Sequence, residues 1–471
     1  MQEMKLLVDN SMCTYKTLLS KELYSDLRKR MSYLQPDFFF RDGYKKFHSD
    51  GRKYLIKSAT FPRGLLCRFE EFCKDHDFNL VIEYVDTGKI KNAIEFMQPQ
   101  FNLNDEFVLR DYQEKAVQAI LDNKMGIVQA PTGSGKSLIM AHTLARINKF
   151  PALIVLSSDD LLDQTVKHYE NYLQIPVGRI AAGKYDIRAV TVGMSQTLNS
   201  SIGKKDASVL RYLASVKVLL CDEAHHVRSD SIKRIAYKCQ QAEYKGAYSA
   251  TPFRDSGDDL EIEAATGPIV YKIGLDELIK LGFLVKPRIY FFHIPKIKID
   301  KVAPTYQDII SDYVESSPVR NGIIAQLVGH LLNEDRTILV LVNRIEHGDL
   351  LAELIPNAIF VHGNTPSEER KEYFKQFKQK NIPCMICSGI ADEGFDAPSC
   401  DCVVLAHPYK SLVKAYQRIG RVMRTFEGKQ DALVIDFYDD KIKYLKDHAK
   451  RRLQLYQSES GFEILESRLE I

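Results

Sequence analysis

Eight residues, Ala130-Pro131-Thr132-Gly133-Ser134-Gly135-Lys136-Ser137, have the types and spacing that hold a triphosphate. The apolar run Met125-Gly126-Ile127-Val128 precedes them, and a helical pattern from Leu138 to Ala145 follows. Strand, glycine-rich turn and Lys-Ser opening a helix form the context that a phosphate-binding loop needs. Gly133 and Gly135 free the backbone to turn successive N–H groups inward, and the helix N-terminus adds partial positive charge at the same point. In this reading Pro131, Thr132 and Ser134 complete the cradle, Lys136 reaches the β- and γ-phosphates, and Ser137 ligates Mg²⁺. Ala130 stands where the general pattern has its first glycine.

Splitting a phosphoanhydride also needs a metal-holding carboxylate, a positioned water and cationic groups for the transition state. Asp222-Glu223-Ala224-His225, closing the apolar run Val218-Leu219-Leu220-Cys221, supplies two of these parts. Asp222 would hold Mg²⁺ through its waters, and Glu223 would accept a proton from the attacking water. Gln417, Arg421 and Arg424 follow at intervals of four and three, which places them on one helical face. Two arginines so placed suit the role of arginine fingers, and Gly420 between them suggests close approach to a neighbour.

These residues need a scaffold, and composition permits a large one. The chain has 471 residues, 45% apolar and 27% charged, as expected of a globular protein with several domains. Its net charge of +3 makes any basic binding surface a local one. No run of about 18 apolar residues occurs, so no membrane span is expected. The first residues lack a signal-peptide pattern, and nine cysteines point to reduced thiols, so the expected compartment is cytoplasmic. Cys384, Cys387, Cys400 and Cys402 lie within apolar runs and read as buried strand residues rather than a zinc site.

The order of patterns divides the chain into four segments. Residues 1–95 read as a small N-terminal α+β domain: a helix over about 17–33, a hairpin turning at Asp50-Gly51, a helix over about 64–77, and the strand Leu80–Tyr84. The hairpin mixes aromatics with Arg41, Lys45, Lys46, Arg52 and Lys53, which fits either nucleic-acid binding or ordinary strand alternation. Residues 96–284 and 285–440 each repeat apolar run, polar turn and helix, the signature of parallel sheets covered on both faces. Ligands of such sheets bind beyond the carboxyl ends of the strands, where the polar clusters fall. Around residues 278–299, Pro287 and Pro295 interrupt the pattern and mark a join. Thr365-Pro366-Ser367-Glu368 reads as a capping box, and 441–471 as a basic, solvated helix and tail.

In order along the chain, Gln113 in Leu109-Arg110-Asp111-Tyr112-Gln113, the loop 130–137, Asp222-Glu223-Ala224-His225, Ser249-Ala250-Thr251 and Gln417-x-x-Gly420-Arg421-x-x-Arg424 resemble the motifs of superfamily-two helicases. The resemblance implies two tandem RecA-like lobes. It also implies ATP as the nucleotide, bound with Mg²⁺, with Gln113 beside Arg110 reading adenine. By the same resemblance His225, Ser249 and Thr251 couple hydrolysis to strand movement. Residues 388–398 are similar to the family's fifth motif, best at Gly394 and Asp396. By position Ser157, Gln164, Ser195, Gln196, Thr197, Asn343, Arg344, His362 and Ser388 fall where members touch nucleic-acid phosphates.

Within the family the small N-terminal segment looks most like the UvsW-type phage helicases, which remodel branched DNA. That resemblance implies forked or branched DNA as partner, acting beside other recombination or replication proteins. An RNA or R-loop helicase, the motor subunit of a restriction complex, and a non-hydrolysing nucleotide-gated clamp stay open as alternatives.

Overall fold

A computed structural model describes residues 2–35, 50–86, 93–96, 99, 101, 103–157, 162–181, 183–224, 229–250, 259–294, 305–388, 397–408, 419–420, 422–429, 431–439 and 442–468. The chain divides into two compact units: Met1–Pro131 with Gly135–Ile273, and Gly274–Ile471 with Thr132–Ser134.

The first unit carries an eight-stranded sheet. Its order is Lys184–Asp186, Gly178–Ala181, Val190–Met194, Ala152–Leu156, Val218–Asp222, Tyr244–Ser249, Met125–Gln129 and Ile269–Lys272. All neighbours run parallel except the first pair. The central strands are apolar on both faces because helices cover both. Leu153, Val155, Leu219, Cys221 and Ala247 join Leu198, Val209 and Ile232 of the helices in one buried core. The two outermost short strands and Ile269–Lys272 extend the five runs legible in the sequence.

The N-terminal segment was expected as a domain of its own, but it shares a core with this unit. Its sheet, ordered Thr60–Pro62, Met12–Tyr15, Gln2–Val8 and Phe78–Tyr84, packs on helices Lys21–Arg30 and Leu66–Asp75. Leu260 and Ala264, from the Asp259–Thr266 helix of the larger sheet, complete that cluster. Glu261 on the same helix is fully buried, yet it receives Lys53 at 2.8 Å, Lys233 at 2.6 Å and the Tyr33 hydroxyl at 3.0 Å. Arg68 grips Glu263 with two parallel bonds of 2.6 and 2.7 Å. Lys245, also buried, donates to the Asn10 carbonyl at 2.7 Å, and burial pushes its ammonium down to about 8. Of the hairpin cations, Lys53 is thus spent on Glu261, and Arg52 donates to the Ser32 hydroxyl and carbonyl. Arg41, Lys45 and Lys46 lie outside the described residues. The hairpin strands are Ser32–Leu34 and Arg52–Tyr54, so the first helix stops at Arg30 rather than near Tyr33.

The second unit holds seven strands, all parallel: Ile359–Val361, Cys384–Cys387, Ile338–Leu341, Cys402–Leu405, Ala432–Tyr438, Pro287–His293 and Glu463–Arg468. Pro287 does not mark a break; it is the first residue of a strand paired on both sides, a position that proline tolerates. The tail is no solvated appendage either. Its helix, Lys443–Ser458, buries Arg452, which donates to both Asp436 oxygens at 2.8 and 2.9 Å, and Tyr456 adds a third bond to the same carboxylate. The expected capping box at Thr365 does not form: the helix Ser367–Lys378 has no side-chain cap, and Thr365 accepts instead from the His362 N–H. The four clustered cysteines are buried, with the Cys384 and Cys400 thiols pushed up to about 12 by desolvation. Among the described residues no group of three or more His, Cys, Asp or Glu could hold a metal. Nor, among the described residues, is any helix long and apolar enough to cross a membrane.

The N-terminal docking also includes one close backbone approach. A Cβ at Gly64 would sit 2.0 Å from the Glu263 carbonyl oxygen and 2.6 Å from that of Ala264. Gly64→Val should therefore destabilise the first unit by about 1–3 kcal/mol, as overpacking does. Thermal melting checks this; an unshifted curve would contradict the shared core.

Candidate functional site

The phosphate loop leaves the strand Met125–Gln129 and enters the helix Lys136–Ile147. Gly133 and Gly135 have φ of +87° and +78°, the left-handed backbone that other residues resist. Gly135 is the helix N-cap and no side chain caps the helix, so its first N–H groups point into the loop. The helix is bolted to the sheet behind it by the Thr143 hydroxyl, 3.2 Å from the hydroxyl of buried Tyr248.

Lys136 is 8% exposed, and its ammonium lies 2.9 Å from Glu223 Oε1 and 3.3 Å from the Ala130 carbonyl. Glu223 follows the strand Val218–Asp222 with φ of +44°, and its N–H is tied to Asp222 Oδ1 at 3.0 Å. Desolvation first, then the Glu223 carboxylate, push the Asp222 carboxyl up to about 6, against the pull of Lys136. A divalent cation would favour the ionised form. One such carboxylate together with the hydroxyl of Ser137, the residue after Lys136, would make the donor set expected where Mg²⁺ is shared with substrate phosphates rather than caged by protein.

Ser249, 1% exposed, ends the neighbouring strand, and its carbonyl receives the Ala130 N–H at 3.0 Å. The sheet thus brings Lys136, Asp222, Glu223 and Ser249 to one carboxyl edge. Gln113 joins them from the helix Asp111–Asn123: its Oε1 accepts from the Arg110 N–H at 2.9 Å, and its Nε2 lies 2.5 Å from where a Gly135 Cβ would be. The Arg110 guanidinium reaches the Tyr112 hydroxyl at 3.4 Å. His225, Thr251, Gly394, Asp396, Gln417 and Arg421 lie outside the described residues.

The expected nucleic-acid contacts follow strand ends too. In the first unit, Ser157 follows Ala152–Leu156, while Ser195, Gln196 and Thr197 open the helix after Val190–Met194. Gln196 is exposed and Ser195 buried; Gln164 is exposed near the start of its helix. In the second unit, exposed Asn343 and Arg344 follow Ile338–Leu341. Half-buried His362 and buried Ser388 follow Ile359–Val361 and Cys384–Cys387. Arg424 is half-buried and bridges backbone to Leu284 within that unit.

Glu315 was not anticipated. It is 4% exposed, 3.5 Å from Arg344 Nε and 3.7 Å from His407 Nδ1, and burial pushes its carboxyl up. It sits at the end of a six-residue wide helical turn, Ile310–Glu315, and nothing in its local pattern sets it apart from a surface acid.

Known proteins resemble the chain in both units. The family model described as "Type III restriction enzyme, res subunit" matches residues 106–254, and "Helicase conserved C-terminal domain" matches 321–426. A putative helicase of Sulfolobus islandicus filamentous virus is 29% identical over 92% of this chain and 84% of its own. The ATP-dependent DNA helicase uvsW of Enterobacteria phage T4 is 24% identical over 93% and 94%. Two solved structures share the fold. A fragment of an HsdR restriction subunit from Vibrio vulnificus has a TM-score of 0.58, 18% identity and coverage of 79% of this chain and 69% of that one. The L327V variant of S. cerevisiae Dbp5 bound to RNA and ADP BeF3 has a TM-score of 0.56, 18% identity and coverage of 76% and 89%. One helicase model falls in each unit, and the chain carries two RecA-like lobes and the domains of an ATP-hydrolysing helicase, resembling the superfamily-two helicases of the UvsW type.

Proposed function

We propose that the chain uses ATP hydrolysis to translocate along and remodel DNA, with branched or forked junctions as its substrate. The observation that carries this reading is Lys136 held against Glu223 at the edge where Asp222 and Ser249 also end. Similarity to a DNA 3'-5' translocase, XPB2 of Sulfurisphaera tokodaii (24% identity over 82% of this chain), and to uvsW supports DNA as the track.

In the proposed cycle the backbone of 132–135 and Lys136 bind the triphosphate, and Gln113 with Arg110 selects adenine. Ser137 and Asp222 would hold Mg²⁺, which would supply positive charge to the phosphates, and Gly394 and Asp396 would add contacts. Lys136 leaves Glu223 for the phosphates, and this frees the Glu223 carboxylate to take a proton from the attacking water. Gln417, Arg421 and Arg424 stabilise charge in the transition state. His225, Ser249 and Thr251 pass the change to Ser157, Gln164, Ser195, Gln196 and Thr197 in one unit, and Asn343, Arg344, His362 and Ser388 contact the strand in the other. Contacts to phosphate fix register without reading sequence, which suits an enzyme that must act on any strand. The setting is the cytoplasm, that of the host if the chain is phage-encoded, alongside recombination or replication proteins.

The direct test is ATPase stimulation by single-stranded, duplex and four-way-junction DNA and by RNA. The junction should stimulate most at equal nucleotide concentration; stronger stimulation by RNA than by every DNA would replace the DNA reading. Lys136→Ala should abolish turnover, and a purified variant that still hydrolyses ATP would refute the assigned role. Arg421→Ala should retain ATP binding while hydrolysis slows by about 10³-fold or more, as loss of a finger does. Equilibrium nucleotide binding measured beside single-turnover rates separates the two effects.

A further inference from the structure

In the second unit two tyrosine rings stand exposed where the strand Ala432–Tyr438 gives way to the helix Lys443–Ser458. Tyr444, in the first turn of that helix, is 55% exposed, and Tyr306 is 40% exposed. Their rings meet edge to face, with centroids 6.3 Å apart at 86°, and His448 lies 5.9 Å from Tyr306. Beneath them Ile309, Ile310, Tyr313, Val314, Ile442 and Leu445 form a closed apolar cluster.

Both rings are held on stiff supports. Thr305 and Asp308 exchange capping bonds of 2.9 and 3.2 Å around the turn that presents Tyr306. The Tyr444 helix is pinned to the sheet by Arg452 and Tyr456 on Asp436. Rings held in this way lose little freedom when something stacks on them. The outer face of the helix carries exposed Lys443, Lys450 and Arg451, with Asp447 as the lone acid in its first nine residues. Tyr306 opens the helical segment that Glu315 ends, and Glu315 faces Arg344 and His407, which follow two other strands of the sheet. One short helical segment thus links the rings to the edge proposed above for strand contacts.

We propose that Tyr306 and Tyr444 form a stacking platform for unpaired bases of a single-stranded nucleic acid, with Lys443 and its neighbours drawing in the backbone. An exposed aromatic face beside cations is the chemistry that holds a strand without reading its sequence. This platform rests on the helicase reading and adds to it a place where a separated strand is gripped.

The test uses the full chain, with oligothymidylate, oligouridylate and an abasic strand of equal length. Tyr444→Ala should weaken binding to the base-bearing strands by about tenfold, the usual effect of losing one stacked base. It should leave binding to the abasic strand and ATPase without nucleic acid unchanged, and Tyr444→Phe should bind as the wild type does. Tyr306→Ala should weaken binding in the same direction. An unaltered affinity in Tyr444→Ala, or an equal loss on the abasic strand, overturns the platform while leaving the helicase reading intact if wild-type ATPase still responds to nucleic acid. A wild type that neither binds nor responds to any strand overturns both.

Discussion

An ammonium group 8% exposed beside a carboxylate 25% exposed is the contact on which the first unit is arranged. Lys136 and Glu223 are drawn from different strand ends, 87 positions apart in sequence, and only a parallel sheet with the right crossovers sets them 2.9 Å apart. A poorly hydrated ion pair is a weak source of stability, since desolvation offsets most of the attraction. Its retention makes sense if the pair is meant to be broken. A triphosphate offers Lys136 more negative charge than Glu223 does, and the exchange releases a base at the moment a substrate arrives. The left-handed backbone of Glu223, at φ of +44°, and the uncapped helix are further local costs accepted at the same place.

The N-terminal segment and the sheet behind the loop are one mechanical body. Glu261 and Glu263 sit on the helix that follows Ser249 by ten positions, and they hold Lys53, Lys233, Tyr33 and Arg68. A buried carboxylate with three donors is rigid, because losing any one of them leaves charge uncompensated. These contacts tie the helix Asp259–Thr266 to the hairpin base at Ser32–Leu34 and Arg52–Tyr54.

In the second unit the same logic is built from arginines. Arg452 and Arg320, both buried, are matched to Asp436 and Asp439 near the end of one strand. Arg452 locks the helix Lys443–Ser458, and Arg320 the helix Pro318–Asn333, onto one strand of a sheet whose edge carries Arg344 and His407. The firmness of this edge comes from charges hidden below it and not from the loops above.

Periodicity and glycine placement were enough to read ten of the parallel strands, the loop 130–137 and the carboxylates at 222–223 from the sequence. Each of these is a local pattern: an apolar run is buried wherever helices can cover it, and a left-handed turn calls for glycine in any fold. What stayed hidden depends on partners far along the chain. For Lys53 and Arg52 the sequence leaves nucleic-acid binding and ordinary strand alternation both open; Glu261 and Ser32 hold them. Arg452 looked like solvated charge until Asp436 claimed it. Pro287 looked like a break until two strands paired with its neighbours. A charge in sequence has no address; the tertiary fold decides whether it meets water, an opposite charge or a ligand.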